Sequence, residues 1–399
     1  MYNVLVDNQH GFRAKRSTTT QLVLTIHDIT KALEQGKSVH VAFLDFAKAF
    51  DKVPHERLLR KLESYGITGS LLKWERHFLT GRTQTVLVNG SSSEEMPVRS
   101  GVPQGTVTGP LDFLMYINDL PDGLSSTTRL FADDCVLYTS GTTPKDFQGL
   151  QEDLVKLEEW QDRWAMSFNP AKCVIMKLPS QGAQSNVEKV YTFCGQALQE
   201  VSTYPYLGVE IDNRLRWDAH INKVCSKASR VLGFLRRNFW TAPKEVKHLS
   251  YQTLVRPILE YASPAWDPHF KKDVQRIEAI QRRAARFCTG NFKQTSSVTS
   301  MLKELNWESL EERRKNSRLC LMFQVIKGLV AVNPNGLIHV TSRPTRGNSI
   351  KLLQQLIKRD VHKFSFFPRT SRDWNELNLD TLSINSLNSF KMKLTKKAQ

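Results

Sequence analysis

Asp133 and Asp134 stand side by side in LFADDCVLY (Leu130 to Tyr138), flanked by apolar residues, and Asp45 sits at the end of the apolar run Val41 to Phe46. Carboxylates brought from separate strands to one edge suit a hard divalent cation, because Mg²⁺ is held by one or two protein carboxylates and completed by phosphates and water. Two such ions, about 3.5 to 4 Å apart, neutralise the attacking and leaving oxygens of an in-line displacement at phosphorus. An adjacent Asp pair is also an ordinary feature of a hairpin turn. The pair alone therefore selects nothing, and its meaning rests on the company it keeps.

Elements able to position these groups can be read from periodicity. Val41 to Phe46 reads as a strand feeding a helix over Ala47 to Tyr65, with Leu58, Leu59 and Leu62 at helical spacing. Thr83 to Asn89 alternates as a strand, and Asn89-Gly90 signals a hairpin turn. Ser100 to Pro110 (SGVPQGTVTGP) is too rich in Gly and Pro for regular structure, and Leu111 to Leu120 after it reads as a buried helix. Leu130 to Tyr138 fits a tight hairpin with both carboxylates at its tip. A helix over Phe147 to Met166 presents Leu150, Leu154, Leu157 and Trp160 on one face, suited to cap a sheet. Thr203 to Ile211 reads as a strand pair, and a boundary is expected near Asn213, where long basic helices begin.

The chain has 399 residues, 40% hydrophobic and 24% charged, which suits a folded protein of two or three domains. Its formal net charge of +17 points to a polyanionic partner. Basic faces recur at Lys223, Lys227, Arg230 and Arg237, then over Lys271 to Arg286 and Arg313 to Arg318; one such face is commonly just solvated, but three in succession favour nucleic acid. No apolar run approaches the roughly 18 to 20 residues that cross a bilayer, and no signal peptide is apparent, so no membrane partner and an intracellular protein, nuclear or cytoplasmic, are expected. The six cysteines show no CxxC pair, which suggests reduced, mostly buried thiols.

LDFAKAFD (Leu44 to Asp51), SGVPQGTVTGP and FADD (Phe131 to Asp134), in this order, resemble the palm motifs of reverse transcriptases. QHGFRAKRST (Gln9 to Thr18) resembles the fingers motif of non-LTR (LINE-type) elements, and YLGV with LRW (Tyr206 to Val209, Leu215 to Trp217) their palm-to-thumb region. RPILEYASPAWDP (Arg256 to Pro268) and FFPRTSRDWNEL (Phe366 to Leu377) are similar to the C-terminal part of jockey and CR1 elements.

The resemblance implies an α+β right-hand polymerase: fingers and palm over 1–212, a helical basic thumb over 213–330 and an extension over 331–399. It implies that Asp45 and Asp133 bind two Mg²⁺ ions, with Asp134 assisting. Phe50 matches the bulky residue that excludes a ribose 2′-hydroxyl, since an aromatic ring against the sugar leaves no room for another oxygen. Phe46 joins it in the expected nucleotide site, as do Gln104 and Gly105, which match the loop lying on the incoming dNTP. Arg13 matches a fingers position suited to triphosphate by its forked donors, while Lys15 and Arg16 are candidates for template phosphates. The implied partners are an RNA template and a DNA primer.

Two departures stand out. Relatives usually carry Leu where this chain has Thr108 and Asp112, and a carboxylate there is costly to bury unless paired. In the family a further fingers segment, an RNA-gripping extension and usually an endonuclease precede QHGFR, whereas only Met1 to Asn8 do so here; weak or no polymerase activity is expected of this chain alone. The rivals are a non-catalytic nucleic-acid binder of retroelement origin and a group II intron maturase, the latter opposed by the stretches from YLGV to RDWN.

Overall fold

The computed structural model describes residues 4–180, 189–339, 351–377 and 384–396. The chain divides into two compact units, one comprising residues 1–21 and 36–202, the other 22–35 and 203–399. The expected boundary near Asn213 thus lies within the second unit, and residues 213–330 and 331–399 share that unit.

In the first unit, helix α1 (Thr18–Glu34, whose later part belongs to the second unit) leads to strand β1 (Ser38–Leu44). β1 is buried from Val39 to Leu44 because it has a strand on each side. Its neighbours are β3 (Asp134–Gly141), itself hairpinned to β2 (Thr127–Phe131), and β4 (Val174–Leu178), with β5 (Gln199–Glu200) beyond, in the order β5-β4-β1-β3-β2. All pairings are antiparallel except β4 with β5. Helices α2 (His55–Ser64) and α5 (Gln148–Trp164) follow the expected apolar spacings, α4 (Thr108–Tyr116) starts within the Gly- and Pro-rich stretch and stops short of Leu120, and α3 (Gly69–Leu79) is an additional helix. Leu58, Leu62, Phe113, Leu154 and Trp160 join Ala42, Leu44 and Leu137 of the sheet in one core.

One expected helix is broken. Over Ala47 to Tyr65 the chain makes only a 3₁₀ turn at Ala49–Asp51, preceded by Lys48 at φ 56°, and α2 starts after Pro54. Pro54 disfavours helical geometry at Val53 and has no N–H of its own, so a continuous helix is not available there. The Asn89-Gly90 hairpin is present as two short strand pairs, with both turn residues at positive φ.

In the second unit the hairpin Thr203–Tyr206/Val209–Asp212 precedes α6 (Asp218–Asn238) and the helix Lys271–Thr289. The helix Leu310–Ile326 corrects an expectation. Arg314 and Arg318 on it are buried, and Arg313 pairs with Glu260, so the third basic face is not solvent-facing. The sequence shows the charges but not their partner: Asp267 lies 2.7 Å from Arg314, 2.9 Å from Arg318 and 3.3 Å from Arg369, and Arg318 also reaches Asp373 at 2.7 Å.

Candidate polymerase site

The antiparallel register of β1 with β3 sets Leu44 opposite Cys135, so Asp45 leaves the central strand beside Asp134. β2 and β3 are joined by a two-residue turn, with Phe131 opposite Asp134. Ala132 occupies the first turn position at φ 53° and Asp133 the second, so both aspartates sit at the hairpin tip, as expected.

Both carboxyls of the hairpin are held above the usual carboxylate range, by burial first and by neighbouring carboxylates second. Burial first, then the charges of Asp133 and Asp45, push Asp134 up to about 6. Burial first also raises Asp133, with Asp45 adding and Lys172 opposing. Oδ2 of Asp45 is buried, accepts no hydrogen bond, and has the Lys172 ammonium 3.1 Å away. An all-oxygen donor set that already draws in a cation fits a hard divalent ion. Among the described residues no three His, Cys, Asp or Glu side chains are gathered closely enough to enclose a metal by themselves.

Lys172 was not singled out from the sequence, because a lone lysine carries no pattern. The signal available was the Asn169-Pro170 turn before the apolar run Val174 to Leu178, which returns the chain to the β1 edge: the Asn169 amide donates to the Asp45 carbonyl at 2.7 Å.

A second group missed from sequence holds the carboxylate turn from the other side. Gln9 forms a parallel bridge with Leu130, and its buried Oε1 accepts from the amides of Gly11 (2.8 Å) and Ala132 (2.9 Å). Gly11 passes so close that a Cβ there would lie 2.4 Å from the Ala132 nitrogen. The QHGF segment thus makes a single β-bridge to the sheet edge and backs the Asp133 turn.

Phe50 and Gln104 are brought together by backbone bonds. The Gly101 amide donates to Val53 and that of Val102 to Phe50, each at 2.8 Å. The Gln104 amide group donates to Asp51 at 3.1 Å, and Gly105 sits at φ 79°. Gly101 is required where it stands, because a Cβ would meet the Asp51 backbone at 2.8 Å. The half-buried Phe50 ring stacks on Phe113 at 4.5 Å and meets the exposed Phe12 edge-on at 6.4 Å.

Phe46 is placed differently. Its ring is 3% exposed and stacked on Phe168 at 4.3 Å, so only its backbone is available to a nucleotide. Arg13 donates to the Val6 carbonyl at 2.5 Å, and Arg16 spends two donors on Asp7, each at 2.6 Å. Lys15 is exposed, in the left-handed region. Asp112 is buried with Glu75 of α3 as its neighbour, and burial first, then the Glu75 charge, pushes it up to about 8.

The family model for reverse transcriptase (RNA-dependent DNA polymerase) matches residues 1–211. A probable RNA-directed DNA polymerase from transposon BS of Drosophila melanogaster is 30% identical over 332 residues, covering 78% of this chain and 35% of that protein. The RNA-directed DNA polymerase from mobile element jockey of the same species is 28% identical over 297 residues, covering 71% of this chain and 32% of that protein. The chain therefore spans about a third of the length of these relatives. Among solved structures, apo telomerase from Candida tropicalis aligns at a TM-score of 0.42 and 10% identity, over 80% of this chain and 50% of that chain. The chain belongs to the reverse transcriptase family, on the branch carried by non-LTR retrotransposons of the LINE type.

Proposed function

We propose that this chain carries the polymerase centre of an RNA-directed DNA polymerase, transferring dNTPs to a DNA primer 3′-end on an RNA template. The observation that supports this most is the meeting of Asp45 with Asp133 and Asp134 at one sheet edge, where a buried Asp45 oxygen already faces the Lys172 ammonium. Asp45 and Asp133 would hold two Mg²⁺ ions, with Asp134 shaping the turn. Such ions neutralise the attacking and leaving oxygens of phosphoryl transfer.

The rest falls to the chain's own groups. Gln9 and Gly11 keep the carboxylate turn in place, and the loop carrying Gln104 and Gly105 gives a nucleotide a backbone surface beside Phe50. Phe50 limits the space at the sugar, selecting deoxyribose by exclusion. Arg13, freed from Val6, offers forked donors to a triphosphate. The basic helices of the second unit act as the thumb that grips the hybrid by its phosphates and shape. No described helix is long and apolar enough to cross a membrane, and the proposed work lies inside the cell, at nucleic acid.

The test is primer extension on a poly(rA)/oligo(dT) hybrid with Mg²⁺ and dTTP, alongside the Asp133→Ala/Asp134→Ala variant. Extension that disappears in the variant establishes the polymerase. No extension from wild type, with salt-sensitive hybrid binding retained, leaves a non-catalytic nucleic-acid binder.

A further inference from the structure

α6 and the helix Lys271–Thr289 run side by side in the same direction. Lys272 pairs with Asp218 at 2.9 Å near their starts, and Arg283 donates to Ser229 at 3.0 Å further along. Just beyond their ends, Trp240 and Phe292 stack on each other, with centroids 5.4 Å apart and planes 22° from parallel. The Arg236 guanidinium lies 5.6 Å from the Phe292 ring centre. Trp240 is 54% exposed and Phe292 40% exposed, so the pair is not a core contact.

The local sequence is strongly basic: no carboxylate occurs between Asp218 and Glu245, a stretch carrying Lys227, Arg230, Arg236 and Arg237 besides Lys223, which pairs with Glu210, and none occurs between Glu278 and Glu304. An aromatic pair on this background matches what single-stranded nucleic acid needs: a π-face for bases and cations for the phosphates between them. The two helix carboxyl ends disfavour a phosphate directly at the pair. They leave it to a base, with phosphates on the basic flanks upstream.

We propose that Trp240 and Phe292 form a base-stacking platform for single-stranded nucleic acid, whose backbone follows the carboxylate-free flank of α6. This rests on the nucleic-acid reading above and adds to it a specific binding site. Stacking is blind to base identity and sugar, so the strand is an unpaired RNA template or an unpaired DNA strand.

The experiment measures binding of the full chain to oligo(rA), oligo(dA) and an abasic oligomer of equal length. Trp240→Leu keeps an apolar side chain without a π-system, and Trp240→Tyr keeps an aromatic one; circular dichroism confirms that each folds. The expected result is about tenfold weaker binding of at least one base-bearing strand by Trp240→Leu, restored by Trp240→Tyr, with no change towards the abasic strand. Loss towards oligo(rA) alone identifies a template-side contact, and loss towards oligo(dA) alone a DNA-side one. Equal binding by wild type and Trp240→Leu, or an equal loss on the abasic strand, overturns the platform and leaves the nucleic-acid reading standing. No binding of any oligomer by wild type overturns both.

Discussion

At the scale of single residues, neighbouring positions of one motif do different work. Phe46 and Phe50 both lie in LDFAKAFD, yet the first ring stacks in the core on Phe168 while the second faces the open side through Phe12. Gly11 is constrained in another way, because a Cβ there would collide with the Ala132 backbone and displace Asp133. Gly11→Ala should lower the primer-extension rate by about a hundredfold, the scale of a misplacement near 1 Å, with little change in hybrid affinity. An equal loss of rate and affinity would show that the glycine supports folding only. Asp112 allows a prediction about stability. Folded, it keeps its proton up to about pH 8; unfolded, it releases it near its ordinary value of about 4. The folded chain therefore binds more protons in that window, and stability falls as pH rises through it. Thermal melts at pH 5 and pH 8 should show a larger drop for wild type than for Asp112→Leu, which removes the titrating group; parallel curves would contradict the assignment.

At the scale of elements, periodicity was a reliable guide wherever an apolar face met a core. The β2–β3 hairpin and α5 lie where Leu130 to Tyr138 and Phe147 to Met166 place them, and α6 carries the basic face read at Lys223 to Arg237. The helix expected over Ala47 to Tyr65 failed because spacing ignores Pro54 and the left-handed Lys48. The aspartates were legible through their motifs, and Gln9 lay in the QHGFRAKRST motif without its contact to Ala132 being readable, whereas Lys172 acts through a contact far along the chain that leaves no local pattern. The basic face at Arg313 to Arg318 failed for the same reason, since Asp267 is 47 residues from Arg314. Asp267 comes from RPILEYASPAWDP, and Arg369 and Asp373 from FFPRTSRDWNEL, so one buried ion network ties both motifs to Leu310–Ile326. Removing its centre leaves buried guanidinium groups without their counter-charge. Asp267→Ala should cost about 3 to 5 kcal/mol, read as a fall in the denaturant midpoint of unfolding. A shift within about 0.5 kcal/mol would mean that the arginines find water or other acceptors.

At the scale of the whole molecule, the net charge of +17 is not one uniform field. Arg314, Arg318 and Arg369 are spent on Asp267 and contribute nothing to capture of a polyanion. The exposed surplus of α6 is different in kind. Lys227 and Arg230 are exposed on a helix with no carboxylate after Asp218, and neither has an ion-pair partner among the described residues. Each phosphate contact releases condensed counterions, so affinity falls linearly on a log-log plot against salt, with a slope set by the number of contacts. Lys227→Gln/Arg230→Gln should reduce the magnitude of that slope by about two for an RNA–DNA hybrid, measured from 50 to 300 mM KCl as a design range. Because the groups are exposed, the variant should keep its unfolding midpoint, which separates lost contact from lost structure. An unchanged slope would place the hybrid on another surface and detach α6 from the grip assigned to it.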